Sequence, residues 1–121
     1  MSEKKLLVVD DQYGIRVLIS EVFSRDGLEI FQAANGMEAL EKIQQVQPDL
    51  ILLDMKMPGM DGLELLRRLR YIKHRCKVIM MTAYGELDMV DEASKLGALA
   101  HFTKPFDIVE LRTEVIRQLA S

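Results

Sequence analysis

Short apolar runs alternate along the chain with longer segments in which apolar residues recur every three or four positions. The runs at 6–9 and 50–53 are purely aliphatic, which is typical of strands buried on both faces of a parallel sheet. A third run, 78–81, contains Val, Ile and two Met. The shorter or more polar runs at 28–33 and 98–102 complete five predicted strands, and 28–33 is expected near an edge of the sheet.

Each predicted strand is followed by a segment with the period of an amphipathic helix. Asn35 and Asp107 are expected to cap the second and fifth of these helices, and Glu110 completes a capping-box-like start for the fifth. The apolar positions that define the five helices are Ile15, Leu18, Ile19, Val22 and Phe23, then Met37, Leu40 and Ile43, then Leu63, Leu66 and Leu69, then the segment 87–96, and finally Ile108, Leu111, Val115 and Leu119.

This alternation of strands and helices predicts an α/β fold. Short connections between strand and helix favour parallel strands with right-handed crossovers and helices on both faces of the sheet. The expected topology is the flavodoxin-like (βα)5 fold, a doubly wound, five-stranded parallel sheet in the order 2-1-3-4-5. The 121 residues fit a single domain, 1–121, and no output domain is expected.

Composition excludes several classes of protein. Hydrophobic residues make up 49% and charged residues 29% of the chain, as in soluble globular proteins. The net charge of −3 gives no broad basic surface, so no nucleic-acid partner is expected. The single Cys76 cannot form an internal disulfide, and the sequence has neither a signal-peptide pattern nor an apolar run long enough for a bilayer. We therefore expect a cytoplasmic monomer that does not bind membranes.

Three carboxylates stand where two of the aliphatic runs end. Asp10 and Asp11 follow the first run, and Asp54 follows the run at 50–53. In the expected strand order these runs are neighbours at the point where the order reverses, which is where open α/β sheets bind ligands. Two like charges about 4 Å apart repel by roughly 4 kcal/mol at an effective dielectric near 20, so the cluster predicts a divalent cation. Taken singly, the adjacent aspartates could form a solvated turn and Asp54 could cap a loop.

The dispersed residues Asp10, Asp11, Asp54, Thr82 and the Lys104-Pro105 pair resemble, in order and position, the signature of response-regulator receiver domains. The resemblance covers essentially the whole chain. Longer runs are similar to the single-domain receivers (phosphotransferase F type) of the bacterial sporulation phosphorelay: VVDDQYGIR, FQAANG, LLDMKMPGMDG, MTAYGELDM and HFTKPFD.

The resemblance implies a phosphoryl-acceptor site that contains a metal. Asp54 would be the nucleophile that forms an acyl phosphate. Asp11 and Asp54 would bind Mg²⁺ directly, Asp10 would bind it through water, and the main-chain carbonyl of Lys56 would complete the protein ligands. Oxygen ligands of this kind suit Mg²⁺, and Mn²⁺ or Ca²⁺ could substitute in a crystal.

The resemblance also implies roles for residues near the end of the chain. Lys104 would neutralise charge on the transferring phosphoryl group, and Thr82 would hydrogen-bond to that group and act as a switch. Pro105 would follow Lys104 through a peptide bond that is usually cis in the family. His101 stands where family members commonly carry Tyr or Phe, and packing at the end of a strand is as compatible with it as a switch. Taken alone, Thr82 could be a capping residue and Lys104 a solvated surface charge.

The partners follow from what the chain lacks and from the resemblance. The sequence has no G-x-x-x-x-G-K-[ST] loop and no protein-kinase signature, so the phosphoryl group is expected from a phosphohistidine. The implied partners are a sensor histidine kinase, a downstream histidine phosphotransferase and an aspartyl-phosphate phosphatase. The protein would be an enzyme in the limited sense of a phosphotransferase with slow autodephosphorylation. The predicted docking residues are Gln12, Tyr13, Gly14, Ile15, Leu18, Tyr84, Leu87, Pro105 and Phe106, although core packing explains Ile15 and Leu18 equally well.

Two other functions, a binding switch and a phosphatase, are alternatives to the relay. A stand-alone switch of the chemotaxis type would bind a target when phosphorylated and would transfer nothing onward. A phosphatase of the haloacid dehalogenase type needs an aspartate two residues after its nucleophile, but Lys56 and Tyr13 occupy that spacing after Asp54 and Asp11. His74 and Cys76 are expected on a polar connection without a role, and the methionines near the site, Met55, Met57 and Met60, are expected to serve packing.

Overall fold

The computed structural model describes residues 3–72, 76–83 and 87–120, with the side chain of residue 87 excepted. Strands and helices alternate along the whole of this part of the chain. In order they are β1 (Lys5–Val9), α1 (Tyr13–Ser24), β2 (Glu29–Ala33), α2 (Gly36–Val46), β3 (Leu50–Asp54), α3 (Gly62–Tyr71), β4 (Lys77–Thr82), α4 (Leu87–Lys95), β5 (Ala100–Thr103) and α5 (Ile108–Ala120).

The five strands form one parallel sheet in the order β2-β1-β3-β4-β5. This confirms the predicted fold class and strand order. The more polar β2 lies at an edge, as expected, while β1 and β3 are interior neighbours. Their register pairs Val9 with Leu53, so both strands end at the same level and the polar residues that follow them meet.

Alternate residues of the interior strands supply two separate apolar layers. On one face, Val9 and Leu53 belong to a cluster that includes Leu66 of α3 and Ile43 of α2. On the other face, Leu52 packs in a cluster with residues of α1 and α5, including Ile19, Phe23, Leu111 and Val115. Both faces of the sheet are therefore covered, which explains why the interior strands are almost purely aliphatic.

Most helices begin with a side-chain cap at the carboxyl edge of the sheet. Asn35 Oδ1 accepts from the Glu38 N–H at 2.9 Å, and Asp61 Oδ1 accepts from the Glu64 N–H at 2.8 Å. Asp107 Oδ1 accepts from the N–H of residue 109 at 2.8 Å. The predicted caps Asn35 and Asp107 are thus confirmed. Helix α1 differs: within the described ranges, the side chain of its N-cap residue, Gln12, makes no capping hydrogen bond.

Two sequence predictions about burial are wrong. Met37 is 61% exposed, although the helical period places it on the apolar face of α2. Leu18, for which the sequence allows a docking position and a core position equally, is 45% exposed. The buried face of α1 is centred on Ile19 and Phe23, which turns Leu18 toward solvent. Met37 lies in the first turn of α2, at the carboxyl edge of the sheet, where it lines a surface groove.

The second error concerns Cys76, which the sequence places on a polar connection. Its side chain is 6% exposed and belongs to the core cluster that contains Val78. Burial raises the pKa of this thiol to about 11. His74, assigned to the same connection, lies outside the described residues. Met55 and Met57 are buried in the same cluster and Met60 packs against it, as predicted. Among the described helices, none combines the length and apolar composition needed to cross a bilayer.

Candidate functional site

The parallel register of β1 and β3 brings three carboxylates together at the carboxyl edge of the sheet. Asp10, Asp11 and Asp54 each offer a carboxylate oxygen, and these oxygens lie within 4.8 Å of one another. Asp10 is fully buried, Asp54 is 4% exposed, and Asp11 is exposed. The acidic cluster is therefore a pocket with a buried floor that reaches solvent through Asp11, and its oxygen atoms could hold a hard cation.

Lys104 brings a positive charge to this cluster from the loop after β5. Its Nζ lies 2.6 Å from Asp10 Oδ2 and 3.6 Å from Asp54 Oδ2. It also donates to Gln12 Oε1 at 3.0 Å. The main-chain N–H of Lys104 donates to the carbonyl of Thr82 at 2.7 Å, and the Lys104–Pro105 peptide bond is cis. In this structure the ammonium pairs more closely with Asp10 than with Asp54.

Asp54 is the carboxyl group most strongly affected by this environment. Burial raises the pKa of Asp54 from 3.8 to about 7, and the charge of Asp10 adds to the effect. Lys104 acts in the opposite direction, and so does the weak hydrogen bond, at 3.5 Å, from the Lys56 N–H. A carboxylate attacks as a nucleophile in its ionised form, so added positive charge in the cluster favours the reactive form of Asp54.

Thr82 ends β4, beside Asp54. Met81, the residue before it, pairs with Asp54 in the sheet. The Thr82 side chain is buried, and its Oγ1 lies 3.3 Å from Thr103 Oγ1 and 3.5 Å from the carbonyl of Phe102. The hydroxyl thus faces β5 in this structure. A contact between Thr82 and a phosphoryl group stays a prediction, because it concerns a phosphorylated state.

His101 lies on β5, where it is exposed and pairs in register with Met80. It lines a surface groove together with residues of α4, including Asp91 and Ser94. The side chain is therefore accessible at the surface instead of packed into the core. Its role as a switch also stays a prediction.

The first turn of α3 is packed tightly against the end of the strand that carries Asp54. The N–H of Gly62 donates to the carbonyl of Met55 at 2.9 Å. A Cβ atom added at Gly62 would lie 2.2 Å from the carbonyl oxygen of Asp54, which is far inside van der Waals contact. Glycine at this position therefore lets the first turn of α3 lie directly against the main chain that carries Asp54.

The described members of the predicted docking surface lie on α1 and its N-cap, which follow Asp10 and Asp11, or directly after Lys104. Gln12, Tyr13, Gly14, Leu18 and Pro105 are exposed, and Tyr13 shows 72% of its surface. Ile15 and Phe106 are half-buried and pack against the core cluster of α1 and α5. Tyr84 and the side chain of Leu87 lie outside the described residues.

Two contacts at the site involve residues whose roles the sequence did not reveal. Arg16 donates to the carbonyl of Asp10 at 2.7 Å and to Gln32 Oε1 at 3.3 Å, and its guanidinium lies 5.5 Å from the centre of the Tyr13 ring. It thereby ties the loop that carries Asp10 to α1 and β2. The second contact is that of Gln12 with Lys104. Glutamine is an unusual residue at a helix N-cap, which marks the position as unusual but does not identify Lys104 as its partner.

Comparison with known proteins agrees with this geometry. The family model of the response regulator receiver domain matches residues 6–116. Sporulation initiation phosphotransferase F of Bacillus subtilis is 57% identical to this chain, over 98% of this chain and 96% of that protein. The chemotaxis protein CheY of Listeria monocytogenes is 42% identical, over 84% of this chain and 87% of that protein.

Solved structures give the same answer. The receiver domain of the Francisella response regulator 1452 superimposes with a TM-score of 0.90 at 34% identity, covering 98% of each chain. A CheY-like receiver domain protein of Methanospirillum hungatei has a TM-score of 0.92 at 32% identity, covering 98% of this chain and 95% of its own. By its sequence and its fold, this chain belongs to the response regulator receiver family.

Proposed function

We propose that this protein is a phosphorelay intermediate. It accepts a phosphoryl group on Asp54 from a phosphohistidine of a sensor kinase, and it passes the group to a histidine of a downstream phosphotransferase. The observation that carries the proposal is the position of Asp54, a buried carboxylate at the end of a central strand, beside two further carboxylates and the ammonium of Lys104. The relative named for sporulation initiation, at 57% identity, supports a role in that process.

The transfer forms one bond and breaks one. A carboxylate oxygen of Asp54 attacks the phosphorus atom, the P–N bond to the donor imidazole breaks, and the imidazole nitrogen leaves with the bonding pair and takes up a proton. The reverse sequence delivers the group to the next histidine. Lys104 stabilises the negative charge of the transferring group, and Thr82 binds one of its oxygens. This is catalysis by positioning and charge stabilisation.

The chemistry of the acidic cluster fits a magnesium ion. Asp10, Asp11 and Asp54 supply oxygen donors within 4.8 Å of one another, and the main-chain carbonyl of Lys56 would join them. Mg²⁺ favours such oxygen sets and is commonly bound by a few carboxylates together with substrate phosphate. When bound, it supplies positive charge that offsets both the mutual repulsion of the carboxylates and the charge of the phosphoryl group.

The partner surface of the proposal is drawn from elements that adjoin the site in the chain. The exposed residues Tyr13 and Leu18 offer apolar area on α1, which follows Asp10 and Asp11, and the exposed Pro105 directly follows Lys104. An apolar patch with a polar rim suits a protein–protein contact. Tyr84 and Leu87 belong to the proposed surface by their place in the sequence.

Phosphotransfer with purified components tests the proposal. A phosphorylated sensor kinase with Mg²⁺ is expected to label the wild-type protein, and adding the histidine phosphotransferase is expected to remove the label. Asp54→Asn should take up none, while Asp49→Asn, a carboxylate at the opposite end of β3, should be labelled normally. Normal labelling of Asp54→Asn would overturn the assignment of the nucleophile.

The same experiment separates a relay from a binding switch of the chemotaxis type, which the 42% identity to a CheY protein keeps as the second candidate. A relay protein loses its label to the added phosphotransferase. A switch keeps the label and binds a target protein more tightly while labelled. Retention of the label in the presence of every histidine phosphotransferase of the host would favour the switch.

A further inference from the structure

Gln12 occupies an unusual position next to Lys104. It is the N-cap residue of α1, yet within the described ranges its side chain makes no hydrogen bond to the first turn of that helix. Among the described residues, three other N-cap side chains at this edge, Asn35, Asp61 and Asp107, bind their own helices. The carbonyl oxygen of the Gln12 side chain instead accepts from Lys104 Nζ at 3.0 Å, across 92 positions of sequence.

The main chain of Gln12 is held firmly, so its side chain extends from a fixed point. The Gln12 N–H donates to Asp10 Oδ1 at 2.8 Å, and the Gln12 carbonyl accepts from the N–H of Arg16 at 3.2 Å. Asp10 thus binds Gln12 through one carboxylate oxygen and Lys104 through the other. Asp10, Gln12 and Lys104 form a closed ring of contacts at the mouth of the acidic cluster.

The three acceptors around the Lys104 ammonium differ in kind. Asp10 and Asp54 are carboxylates in the buried floor, while Gln12 is a neutral amide at the exposed rim. A lysine side chain has four rotatable bonds and loses considerable entropy when it is held in one place. The amide restrains the ammonium from the solvent side and adds no negative charge that would repel an incoming phosphoryl group.

From this geometry we infer that Gln12 is a positioning residue, which holds the Lys104 ammonium at the mouth of the acidic cluster ready for the phosphoryl group. The inference rests on the proposed function for its consequence, since Lys104 acts there on the group transferred to Asp54. Losing a hydrogen bond to a charged group at a half-exposed site is expected to slow phosphorylation roughly three- to tenfold.

Two variants of Gln12 separate positioning from a structural role. Gln12→Met keeps the length of the side chain and removes the acceptor. Gln12→Ser is too short to reach Lys104 but is a better N-cap, so it should unfold at a higher urea concentration than Gln12→Met. Gln45→Met, on an exposed position of α2, is the matched control for the chemical change.

Two measurements are made on each protein. The first is the ammonium ¹H–¹⁵N resonance of Lys104 in metal-free protein, assigned by its loss in Lys104→Arg. The second is the initial rate at which phosphoramidate phosphorylates Asp54 at saturating Mg²⁺. A small donor is chosen because Gln12 also belongs to the proposed docking surface, and phosphoramidate needs no docking.

We expect the wild type and Gln45→Met to share both the resonance and the rate. Both Gln12 variants should shift or broaden the resonance and should react three- to tenfold more slowly, the more stable Gln12→Ser included. An unchanged resonance, or an unchanged rate, in both Gln12 variants would overturn the inference. A wild-type protein that takes no phosphoryl group on Asp54 would overturn the proposed function instead, and the resonance would still decide whether Gln12 holds Lys104.

Discussion

Strand β3 passes through two contrasting environments within five residues. Its middle, Ile51 to Leu53, is fully buried among apolar side chains on both faces of the sheet. Its last residue, Asp54, is almost as deeply buried but has two carboxylates and an ammonium for neighbours. Burial stabilises the fold in the first environment and opposes ionisation in the second, where it raises the pKa of Asp54 to about 7.

The difference shows how the fold supports a site that is unfavourable in itself. Buried charges cost free energy unless they are well paired, and here one ammonium faces two buried carboxylates. The apolar layers on either side of the sheet supply the stability that keeps Asp54 in place. We therefore expect substitutions in the two environments to change stability in opposite directions.

The largest effect is expected in the apolar layer. Leu52→Ala removes a side chain that is packed against residues of α1 and α5 and should lower the free energy of unfolding by about 2 to 5 kcal/mol. This loss is measured by urea unfolding monitored with circular dichroism. Leu18→Ala is the matched control, because Leu18 is 45% exposed and should lose less than about 0.5 kcal/mol. Equal losses in the two variants would contradict the burial described for Leu52.

A smaller loss of stability is expected where the first turn of α3 packs against the strand that carries Asp54. Gly62→Ala places a Cβ against the carbonyl oxygen of Asp54, and the main chain must move to admit it. The cost should be about 1 to 3 kcal/mol, and the displaced Asp54 should be phosphorylated more slowly. Gly14→Ala, in the open first turn of α1, has nothing within 4 Å of the added atom. It should be neutral or stabilising, since alanine favours helices. If Gly62→Ala left the stability unchanged, the first turn of α3 would not be tightly packed against Asp54.

The smallest expected effect is an increase in the free energy of unfolding, opposite in sign to the two losses above. At pH 8, without metal, Asp54→Asn removes a buried negative charge and should raise the free energy of unfolding by about 1 to 2 kcal/mol. The shift in pKa from 3.8 to about 7 already includes the attraction of Lys104 and corresponds to more, at about 1.4 kcal/mol per unit, but solvent that reaches the acidic cluster screens part of it. Chemical unfolding of both proteins in EDTA measures the difference.

The stability difference between the wild type and Asp54→Asn should depend on pH, and this dependence is the control for effects of packing. Because the folded-state pKa of Asp54 lies above the unfolded value, its contribution to wild-type stability is fully present below about pH 4 and is lost as the pH rises through about 7. The advantage of Asp54→Asn should therefore disappear near pH 4 and be complete at pH 8. An advantage independent of pH would mean that packing, and not ionisation, separates the two proteins.

The acidic cluster could be predicted from sequence because it depends on strand order alone. Two aliphatic runs each end in aspartate, and a doubly wound parallel sheet places those runs side by side. The solvent-facing position of Met37 could not be predicted in this way, and for Leu18 the sequence allows burial and exposure equally. An apolar residue near the margin of a helix face fits the helical period whether it is buried or exposed, and the packing of the helix on the sheet decides which.

The contacts of individual polar side chains could not be predicted from the sequence. The hydrogen bond between Gln12 and Lys104 depends on where the loop after β5 comes to rest, which no local pattern determines. The side-chain rotamer of Thr82 turns its hydroxyl toward β5. The sequence predicts only that the main chain of Thr82 lies at the end of a strand. Topology is thus readable from periodicity, while the orientation of polar groups is set by tertiary packing.

The rate at which Cys76 is alkylated can report the local unfolding that exposes this buried thiol. The thiolate is the form that alkylating reagents attack, and this thiol is both shielded in the core and held protonated by a pKa of about 11. Modification therefore has to wait until the segment that leads into β4 separates from its neighbours. Since the sequence contains one cysteine, the rate of alkylation follows a single transient exposure, next to the strand that ends at Thr82.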